Sequence, residues 1–476
     1  MGSAPEPGGI PAPSQRADSR VSGDRASEGW ASEGWATPTA SRPVHAWLAL
    51  PGSKSVTNRA LILAALGSEP TRISGPLHAR DTELMAAAIA ALGATVTGER
   101  GDWVVTPGWR HGAATVDVGN AGTVIRFMPP VAALARGDVR FQGDPRAAER
   151  PVGAVLGALR QLGARIEDDG RAAIPFTVRG QGQVPGGTVG IDASGSSQFV
   201  SGLLLAAARY DKGAEIRHAG PRIPSAPHIA MTVAMLRAAG ADVETGTLTG
   251  SHSVADIWRV HPGELAPPPL RVEPDLSNAA PFLAAALVTG GEVTISGWPE
   301  RPLQAAGQIL ETMAAMGGAG APAPGGMRLV GSGRIRGITA DLRDVPELTP
   351  VLVALAALAD SPSTFTGISH LRTQESDRLA ALASEIGGLG GDVTELDDGL
   401  HIRPRPLHAG TFDSYDDHRL VMAAAVLGLA VPGLRVRDSA TVGKTFPGFE
   451  AYWQRMLEQA GPRAEPLAAS APEPGP

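Results

Sequence analysis

The residues best suited to chemistry form a loop with two cations and three hydroxyl groups, residues 50–59 (LPGSKSVTNR), which runs into an apolar helix that ends at Gly67. Backbone N–H groups and the positive end of a helix dipole favour phosphate or carboxylate at such a helix start. Lys54 and Arg59 add full charges there. The chain has 41 Lys and Arg residues but only three lysines, so Lys54 indicates a need for a compact point charge. The loop predicts an anion site; an ordinary capped helix beside a solvated basic loop is the alternative.

Six further polar motifs stand at or near predicted helix starts. The glycines of the first let the backbone approach a ligand, and the serines of the third suit a phosphate or a polyol. Each motif alone also fits a tight turn or a helix cap. The motifs are GNAGTVIR (119–126), ERP (149–151), SGSSQF (194–199), QESDR (374–378), DDHR (416–419) and KTFP (444–447).

The elements that must position these motifs repeat along the chain. Six amphipathic helices are predicted to end in glycine, the residue that favours a left-handed C-cap. A second helix precedes each of them and is apolar almost all round, which predicts that it is buried while the amphipathic helix lies outside. The pattern therefore predicts six units of strands with one buried and one outer helix. The glycines are Gly93, Gly163, Gly240, Gly317, Gly390 and Gly461, 70 to 77 residues apart, and the buried helices are 58–66, 121–135, 197–208, 277–287, 347–358 and 417–429.

The units predict an α/β fold of two three-unit domains with a cleft between them. A Pro-rich stretch at 266–269 separates units three and four. We therefore predict one domain at 53–268, and a second that combines 43–52 with 269–461. Residues 44–50 could supply the strand that the sixth unit lacks, so the chain would cross between domains twice and form a hinge. If the buried helices run parallel, their positive ends face the cleft, which would then bind multiply charged anions.

Composition excludes several classes of site. The 476-residue chain is 43% hydrophobic, carries a formal net charge of −7 and has no cysteine, so disulfides, thiolate zinc sites and a cysteine nucleophile are excluded. No apolar run approaches the roughly 18 residues of a membrane-spanning helix. We expect a cytoplasmic monomer without nucleic-acid or membrane partners. Residues 1–42 and 462–476 are predicted to be disordered tails; the tandem ASEGW at 26–35 is read as a flexible extension, with a protein-interaction segment as the alternative.

Taken together, the motifs resemble those of the 5-enolpyruvylshikimate-3-phosphate (EPSP) synthases, the 3-phosphoshikimate 1-carboxyvinyltransferases of the shikimate pathway. LPGSKSxxNR, GNAGTxxR, ERP, SSQF, ExxRL, DHR and KTFP follow one another in that order between about residues 43 and 461. The resemblance implies two domains of three βαβαββ units, an inside-out α/β barrel. It also implies transfer of the enolpyruvyl group of phosphoenolpyruvate to the 5-hydroxyl of shikimate 3-phosphate, with phosphate released through a tetrahedral intermediate. It implies no cofactor and no metal.

The resemblance also assigns roles to residues. Glu347 corresponds to the proton acceptor beside the 5-hydroxyl, and Glu375 to the glutamate that moves protons at the vinyl carbon; Lys54 and Lys444 complete the catalytic set. The predicted ligands of shikimate 3-phosphate are Lys54, Ser55, Arg59, Ser196, Ser197, Gln198, Ser225, Glu347 and Gln374. The predicted ligands of phosphoenolpyruvate are Lys54, Gly122, Arg150, Gln198, Arg378, Arg419 and Lys444.

Several positions depart from the family pattern. Glu347 replaces an aspartate and His228 a tyrosine, while His370 and Gln374 stand where asparagine and lysine are frequent; Phe127 stands where proline is frequent. Gln374 removes a charge and is expected to weaken shikimate 3-phosphate binding. Because Gly122 has no side chain beside the phosphoenolpyruvate site, the chain is expected to be inhibited by glyphosate.

Three other functions are alternatives. The sister enzyme that transfers enolpyruvyl to UDP-N-acetylglucosamine usually has a catalytic cysteine and a Lys-Asn pair near its start, which this chain lacks. A P-loop kinase would need an additional glycine ahead of residues 52–55. A non-catalytic binding protein of the same fold would be favoured by the loss of Lys54, Glu347, Glu375 or Arg419, and all four are present.

Overall fold

The computed structural model describes residues 34–98, 101–248 and 256–459. In these ranges, the strands are β1 Trp35–Ala36, β2 His45–Leu48, β3 Thr71–Ser74, β4 Thr95–Thr97, β5 Asp102–Thr106, β6 Ala114–Asp117, β7 Arg136–Gln142, β8 Arg165–Glu167, β9 Phe176–Gln181, β10 Gly187–Ile191, β11 Ala214–His218, β12 Val243–Gly246, β13 Ile257–Val260, β14 Leu270–Arg271, β15 Glu292–Ser296, β16 Gly318–Ala323, β17 Gly326–Gly331, β18 Thr339–Asp341, β19 Ser363–Thr366, β20 Asp392–Leu396, β21 Gly399–Arg403, β22 Thr411–Asp413 and β23 Arg435–Arg437. The α-helices are α1 Lys54–Leu66, α2 Arg80–Ala91, α3 Gly122–Ala132, α4 Gly153–Gln161, α5 Ser197–Ala207, α6 Ala226–Ala238, α7 Leu276–Thr289, α8 Ala306–Ala315, α9 Thr349–Ala357, α10 Arg378–Gly388, α11 His418–Gly428 and α12 Phe449–Glu458. Four 3-10 helices lie at Pro145–Glu149, Pro346–Leu348, Ser369–Thr373 and Ser439–Lys444.

The strands form six small sheets, one for each predicted unit. In the second unit, β6 and β7 are parallel, and the antiparallel pair β8 and β9 completes the order β6-β7-β9-β8. Helix α3 connects the parallel strands, and every one of its residues is buried. Helix α4 follows and buries only one side, Val155, Leu156, Ala158 and Leu159. The predicted alternation of buried and outer helices is confirmed, because α1, α3, α5, α7, α9 and α11 are buried along nearly their whole length, whereas the helix that follows each of them buries only part of its residues.

Two strands are exchanged between the halves of the chain. β2 precedes α1 but pairs in parallel with β15, with His45 opposite Glu292. β14 precedes α7 but pairs in parallel with β3, with Leu270 opposite Ile73. The prediction that residues 44–50 complete the sixth unit is therefore wrong, because this segment completes the fourth. The backbones approach so closely there that a Cβ on Gly291 would lie 1.9 Å from the Val44 carbonyl oxygen.

The sixth sheet is completed by part of the predicted N-terminal tail. β1 pairs antiparallel with β23, and the Trp35 ring meets Phe449 edge-on at a centroid distance of 6.2 Å. Disorder was therefore the wrong prediction for residues 34–42. Residues 1–33, with the first ASEGW copy, and 460–476, with Gly461, lie outside the described residues.

Buried apolar side chains form two clusters. The first runs from Val56 to Val272, and the second combines residues 44–48 with the span from Leu276 to Met456. This separation supports the two-domain division, which stays a proposal, and the change from the first cluster to the second lies between Val272 and Leu276, a few residues after the predicted boundary at 268. None of the helices in the described part of the chain is long and apolar enough to cross a membrane.

Candidate active site

Residues at the starts of all six buried helices line one cavity between the two halves of the chain. The positive ends of the helix dipoles therefore meet there, as the parallel arrangement predicts. Four cations, three carboxylates and three histidines contribute to the wall. The lining residues are Lys54, Ser55, Gly122, Thr123, Arg150, Ser196, Ser197, Gln198, Pro224, Ser225, His228, Asp275, Ser277, Pro346, Glu347, His370, Leu371, Gln374, Glu375, Arg378, His418 and Arg419.

Side-chain caps fix these helix starts. The Ser196 hydroxyl accepts from the backbone N–H of Gln198 at 3.2 Å, and Asp275 accepts from that of Asn278 at 2.9 Å. Asp417 accepts from the backbone N–H of Arg419 at 3.0 Å. Such caps satisfy donors that have no partner inside the helix. The polar motifs of the sequence therefore both start the helices and place their side chains at the cavity.

Lys54 connects both halves of the chain. Its Nζ donates to Asp81 Oδ2 at 3.0 Å within the first half. Its backbone N–H donates to Asp275 Oδ2 at 3.2 Å in the second half. The ammonium group is consequently held at the cavity wall by a buried carboxylate and cannot swing freely into solvent.

A buried ionic network forms the wall contributed by the second half. Arg378 donates to both oxygens of Asp417, through Nε at 2.8 Å and Nη2 at 3.1 Å. His418 Nδ1 lies 2.8 Å from Glu375 Oε2, and the ring nitrogen must donate because a carboxylate only accepts. Burial alone would raise the pKa of Glu375, but the adjacent His418 and the charge of Lys54 hold it well below its usual range. Glu375 is therefore ionised at neutral pH.

The same network contains three groups spaced for metal binding. The ligand atoms of Glu375, Asp417 and His418 lie within 4.8 Å of one another. However, Asp417 is occupied by Arg378, and Glu375 shares its contact with the His418 ring. These three groups are therefore better described as members of an ion-pair network than as a set of metal ligands.

Two arginines organise the wall contributed by the first half. Arg150 Nη1 donates to the Asn120 carbonyl oxygen at 2.6 Å, which aims the guanidinium past Gly122. A Cβ at Gly122 would lie 2.6 Å from Arg150 Nη2. Arg126 is fully buried and donates through Nη1 to Gln198 Oε1 at 2.7 Å, so it holds the amide of Gln198 in the cavity wall.

Four of the residues that depart from the family pattern, His228, Glu347, His370 and Gln374, line the cavity, whereas Phe127 does not. His228 Nε2 lies 4.0 Å from Glu347 Oε1. Burial, followed by the charge of Arg378, lowers the pKa of His370 to about 4, so that imidazole is neutral at neutral pH. The His370 Nε2 atom is buried without a hydrogen-bond partner among the described residues. Gln374 lies in the same wall.

Most predicted site residues meet at this cavity, but two point elsewhere. Arg59 is buried behind it, where Nε donates to Thr232 Oγ1 at 2.7 Å and the guanidinium stacks over Phe127 at 5.0 Å. Lys444 Nζ pairs with Asp416 Oδ2 at 2.7 Å. The predicted residues that line the cavity are Lys54, Ser55, Gly122, Arg150, Ser196, Ser197, Gln198, Ser225, Glu347, Gln374, Glu375, Arg378 and Arg419.

Sequence reasoning assigned no role to several polar residues of the site, among them Thr123. Asp275 and Ser277 line the cavity, and Asp81 binds Lys54. His418 belongs to a motif that the sequence singled out, yet only its neighbour Arg419 was assigned a role. A buried helix that starts with an acidic cap and a serine, as α7 does, was the available signal for Asp275 and Ser277.

The cavity is small for two substrates. Its volume is about 120 Å³, below the roughly 300–1,000 Å³ of small-molecule sites, so its lining groups must separate to admit ligands. A larger cavity of about 560 Å³ lies between α6 and residues 302–308. It suits anions less well, because most of its lining side chains are apolar and its Arg222 is paired with Asp344.

Comparisons with known proteins agree with this geometry. The family model described as EPSP synthase (3-phosphoshikimate 1-carboxyvinyltransferase) matches residues 38–453. A 3-phosphoshikimate 1-carboxyvinyltransferase of Kocuria rhizophila is 50% identical over 430 residues, which cover 88% of this chain and 95% of that protein. An EPSP synthase structure from Acinetobacter baumannii has a TM-score of 0.73 at 25% identity, covering 88% of this chain and 97% of that one. The enolpyruvyl transferase NikO from Streptomyces tendae shares the fold, with a TM-score of 0.68 at 17% identity, covering 89% of this chain and 97% of that one. The chain therefore belongs to the EPSP synthase (3-phosphoshikimate 1-carboxyvinyltransferase) family.

Proposed function

We propose that this chain transfers the enolpyruvyl group of phosphoenolpyruvate to the 5-hydroxyl of shikimate 3-phosphate and releases phosphate. One observation carries the proposal: residues at the starts of six buried helices line the same cavity as four cations, Lys54, Arg150, Arg378 and Arg419. Helix N-termini and fixed cations are the groups that bind phosphates and carboxylates. Both substrates are multiply charged anions, so this cavity matches them better than the larger, mostly apolar cavity beside α6 does.

The two substrates would bind to different walls. Hydroxyl and amide groups at the start of α5, with Ser55, Ser225, Glu347 and Gln374, suit the sugar-like ring and phosphate of shikimate 3-phosphate. Arg150, Arg378 and Arg419, which line the same cavity as Gly122, suit phosphoenolpyruvate, and Lys54 and Gln198 would contact both ligands. Arg59 and Lys444 need side-chain movement to reach a ligand, and their roles stay predictions.

The chemistry requires proton transfers at two atoms. In the addition step, the 5-oxygen bonds to C2 of phosphoenolpyruvate, Glu347 accepts the hydroxyl proton, and C3 gains a proton. In the elimination step, C3 loses a proton and the C–O bond to phosphate breaks. Because Glu375 is ionised, it suits the proton acceptor of the elimination, and Lys54, whose charge acts on Glu375, suits the donor of the addition. Closure of the cavity walls after the substrates bind would exclude water from these steps.

The reaction is tested by measuring phosphate released from the purified protein. We expect release only when shikimate 3-phosphate and phosphoenolpyruvate are both present. Omission of either substrate is the control. No release with the pair, or release with UDP-N-acetylglucosamine as acceptor, would overturn the proposal. The expected monomeric state and cytoplasmic location stay predictions that gel filtration and cell fractionation would test.

A Gly122→Ala variant is expected to raise the KM for phosphoenolpyruvate about tenfold, a change of about 1.4 kcal/mol, and to weaken glyphosate inhibition of the chain. The new Cβ meets Arg150 Nη2, and Arg150 cannot retreat because Nη1 is anchored on Asn120. Steady-state kinetics with and without glyphosate measure both effects. Gly157→Ala on the outer helix α4 is the matched control, because no atom lies within 4 Å of its Cβ. Equal glyphosate sensitivity of wild type and Gly122→Ala would contradict the prediction.

A further inference from the structure

His228 and Glu347 face each other across the cavity from opposite halves of the chain. His228 is the third residue of α6, and Glu347 lies in the 3-10 helix that precedes α9. Their closest atoms, His228 Nε2 and Glu347 Oε1, are 4.0 Å apart, and their side chains are 27% and 17% exposed. This distance exceeds that of a hydrogen bond, so the two groups must move closer before a proton can pass between them.

Backbone contacts fix this approach. The Ser225 N–H donates to the Arg343 carbonyl oxygen at 2.7 Å, which ties the start of α6 to the segment that leads to Glu347. The His228 carbonyl oxygen accepts from Arg59 Nη2 at 3.2 Å and from Thr232 Oγ1 at 2.9 Å. These contacts fix the backbone that carries His228 relative to the segment that carries Glu347.

We propose that His228 is a positioning residue for Glu347. It accepts from Glu347 the proton that this carboxylate removes from the 5-hydroxyl of shikimate 3-phosphate. The inference rests on the proposed function. As the hydroxyl oxygen bonds to C2, its O–H bond breaks and the proton moves to a Glu347 oxygen. The Glu347 O–H bond then breaks as an N–H bond forms at His228 Nε2, which restores the carboxylate and leaves an imidazolium. The imidazolium passes its proton to water when the cavity opens.

Both residues depart from the family pattern, and the two departures fit each other. A glutamate is one methylene longer than the aspartate usual at position 347, which extends its carboxylate towards the opposite wall. At position 228 the usual tyrosine is a poor proton acceptor at neutral pH, whereas a neutral imidazole accepts a proton readily. The pair therefore has the chemistry of a relay that an aspartate and a tyrosine would not provide.

The charges that face His228 keep it in the form that accepts a proton. Burial is the main cause that lowers its pKa, and Arg59 from α1 and Arg419 from α11 lower it further. Glu347 and Asp275, at the start of α7, act in the opposite direction. The imidazole is therefore neutral at neutral pH. As the pH falls through its lowered pKa, below about 6.5, solvent protonates it and the relay is lost.

The test compares pH profiles of kcat. We expect His228→Gln to lower kcat about tenfold, with both KM values changed less than about twofold, and to remove the acid limb that the wild type shows below its neutral plateau. His228→Tyr, which restores the family residue, should keep more activity but also lose that limb. In the background of Glu347→Gln, the His228→Gln change should have no further effect, because it acts through the missing carboxylate.

His261 supplies the matched control. It forms the same kind of pair, with Nε2 at 3.1 Å from Glu244 Oε1, on the exposed surface and outside the cavity lining. His261→Gln should keep the wild-type profile. An unchanged acid limb in both His228 variants, or losses that multiply in the double variant, would overturn the inference while wild-type phosphate release still stands. Absence of wild-type release with both substrates would instead overturn the proposed function.

Discussion

Replacing Lys54 with methionine is expected to lower kcat/KM for phosphate release about a thousandfold, which corresponds to a loss of about 4 kcal/mol of transition-state stabilisation. Methionine keeps most of the length and apolar contacts of the side chain but carries no charge. The variant loses the ammonium that compensates Asp81, whose side chain is only 8% exposed. The unpaired carboxylate would then repel the anionic substrates.

The same variant removes the proposed proton donor of the addition step. The charge of Lys54 also helps to hold the pKa of buried Glu375 below its usual range, so the variant should raise that pKa and shift the acid side of the pH profile upward. Lys54→Arg should retain an intermediate activity, because its charge remains but its larger planar group cannot act as a point charge.

Lys212 is the matched control for this substitution. It is exposed, belongs to the same half of the chain and does not line the cavity. Lys212→Met should keep wild-type kinetics. A Lys54→Met variant that retains more than about a tenth of the wild-type kcat/KM would contradict the role assigned to this lysine.

The repeat was predictable because its signals are local. Gly93 and Gly163, for example, adopt φ values of +117° and +100° at helix ends, conformations that glycine adopts at little cost. The partner of β2 was not predictable, because β15 lies more than 240 residues further along the chain. Several strands in the sequence offer a similar apolar pattern, and only packing of the complete core selects among them.

The candidate site was likewise predictable only in part from the sequence. Helix-start motifs identified the groups that line the cavity, because caps and glycines specify where a helix begins. The direction of the Arg59 guanidinium depends instead on Thr232 and Phe127, which are distant in sequence. The approach of His228 to Glu347 depends on two elements from different halves of the chain. Motifs thus supply the residue types, whereas tertiary contacts decide which side chains face a ligand.

Replacing Asp417 with alanine is expected to lower the free energy of unfolding by about 3–5 kcal/mol, because the change leaves the buried Arg378 guanidinium without its partner. The Asp417 side chain is fully buried and also accepts from Ser376 Oγ at 3.0 Å and from the Arg419 backbone. Loss of the α11 cap adds to the effect. Urea unfolding followed by tryptophan fluorescence measures the change.

The pH dependence of this loss identifies its electrostatic origin. Burial alone would raise the pKa of Asp417, but the charge and hydrogen bonds of Arg378 more than offset it and keep the pKa below its usual value. A lowered folded-state pKa contributes stability above the unfolded-state pKa of about 3.9, and this contribution is lost as the pH falls further. The stability difference between wild type and Asp417→Ala should therefore be full at neutral pH and shrink below about pH 4.

Asp416→Ala is the control. It removes a neighbouring, exposed carboxylate that pairs with Lys444 and should lower the free energy of unfolding by at most about 1 kcal/mol. Equal losses for the two variants, or a difference that does not change with pH, would show that the buried charge pair does not stabilise this wall of the cavity.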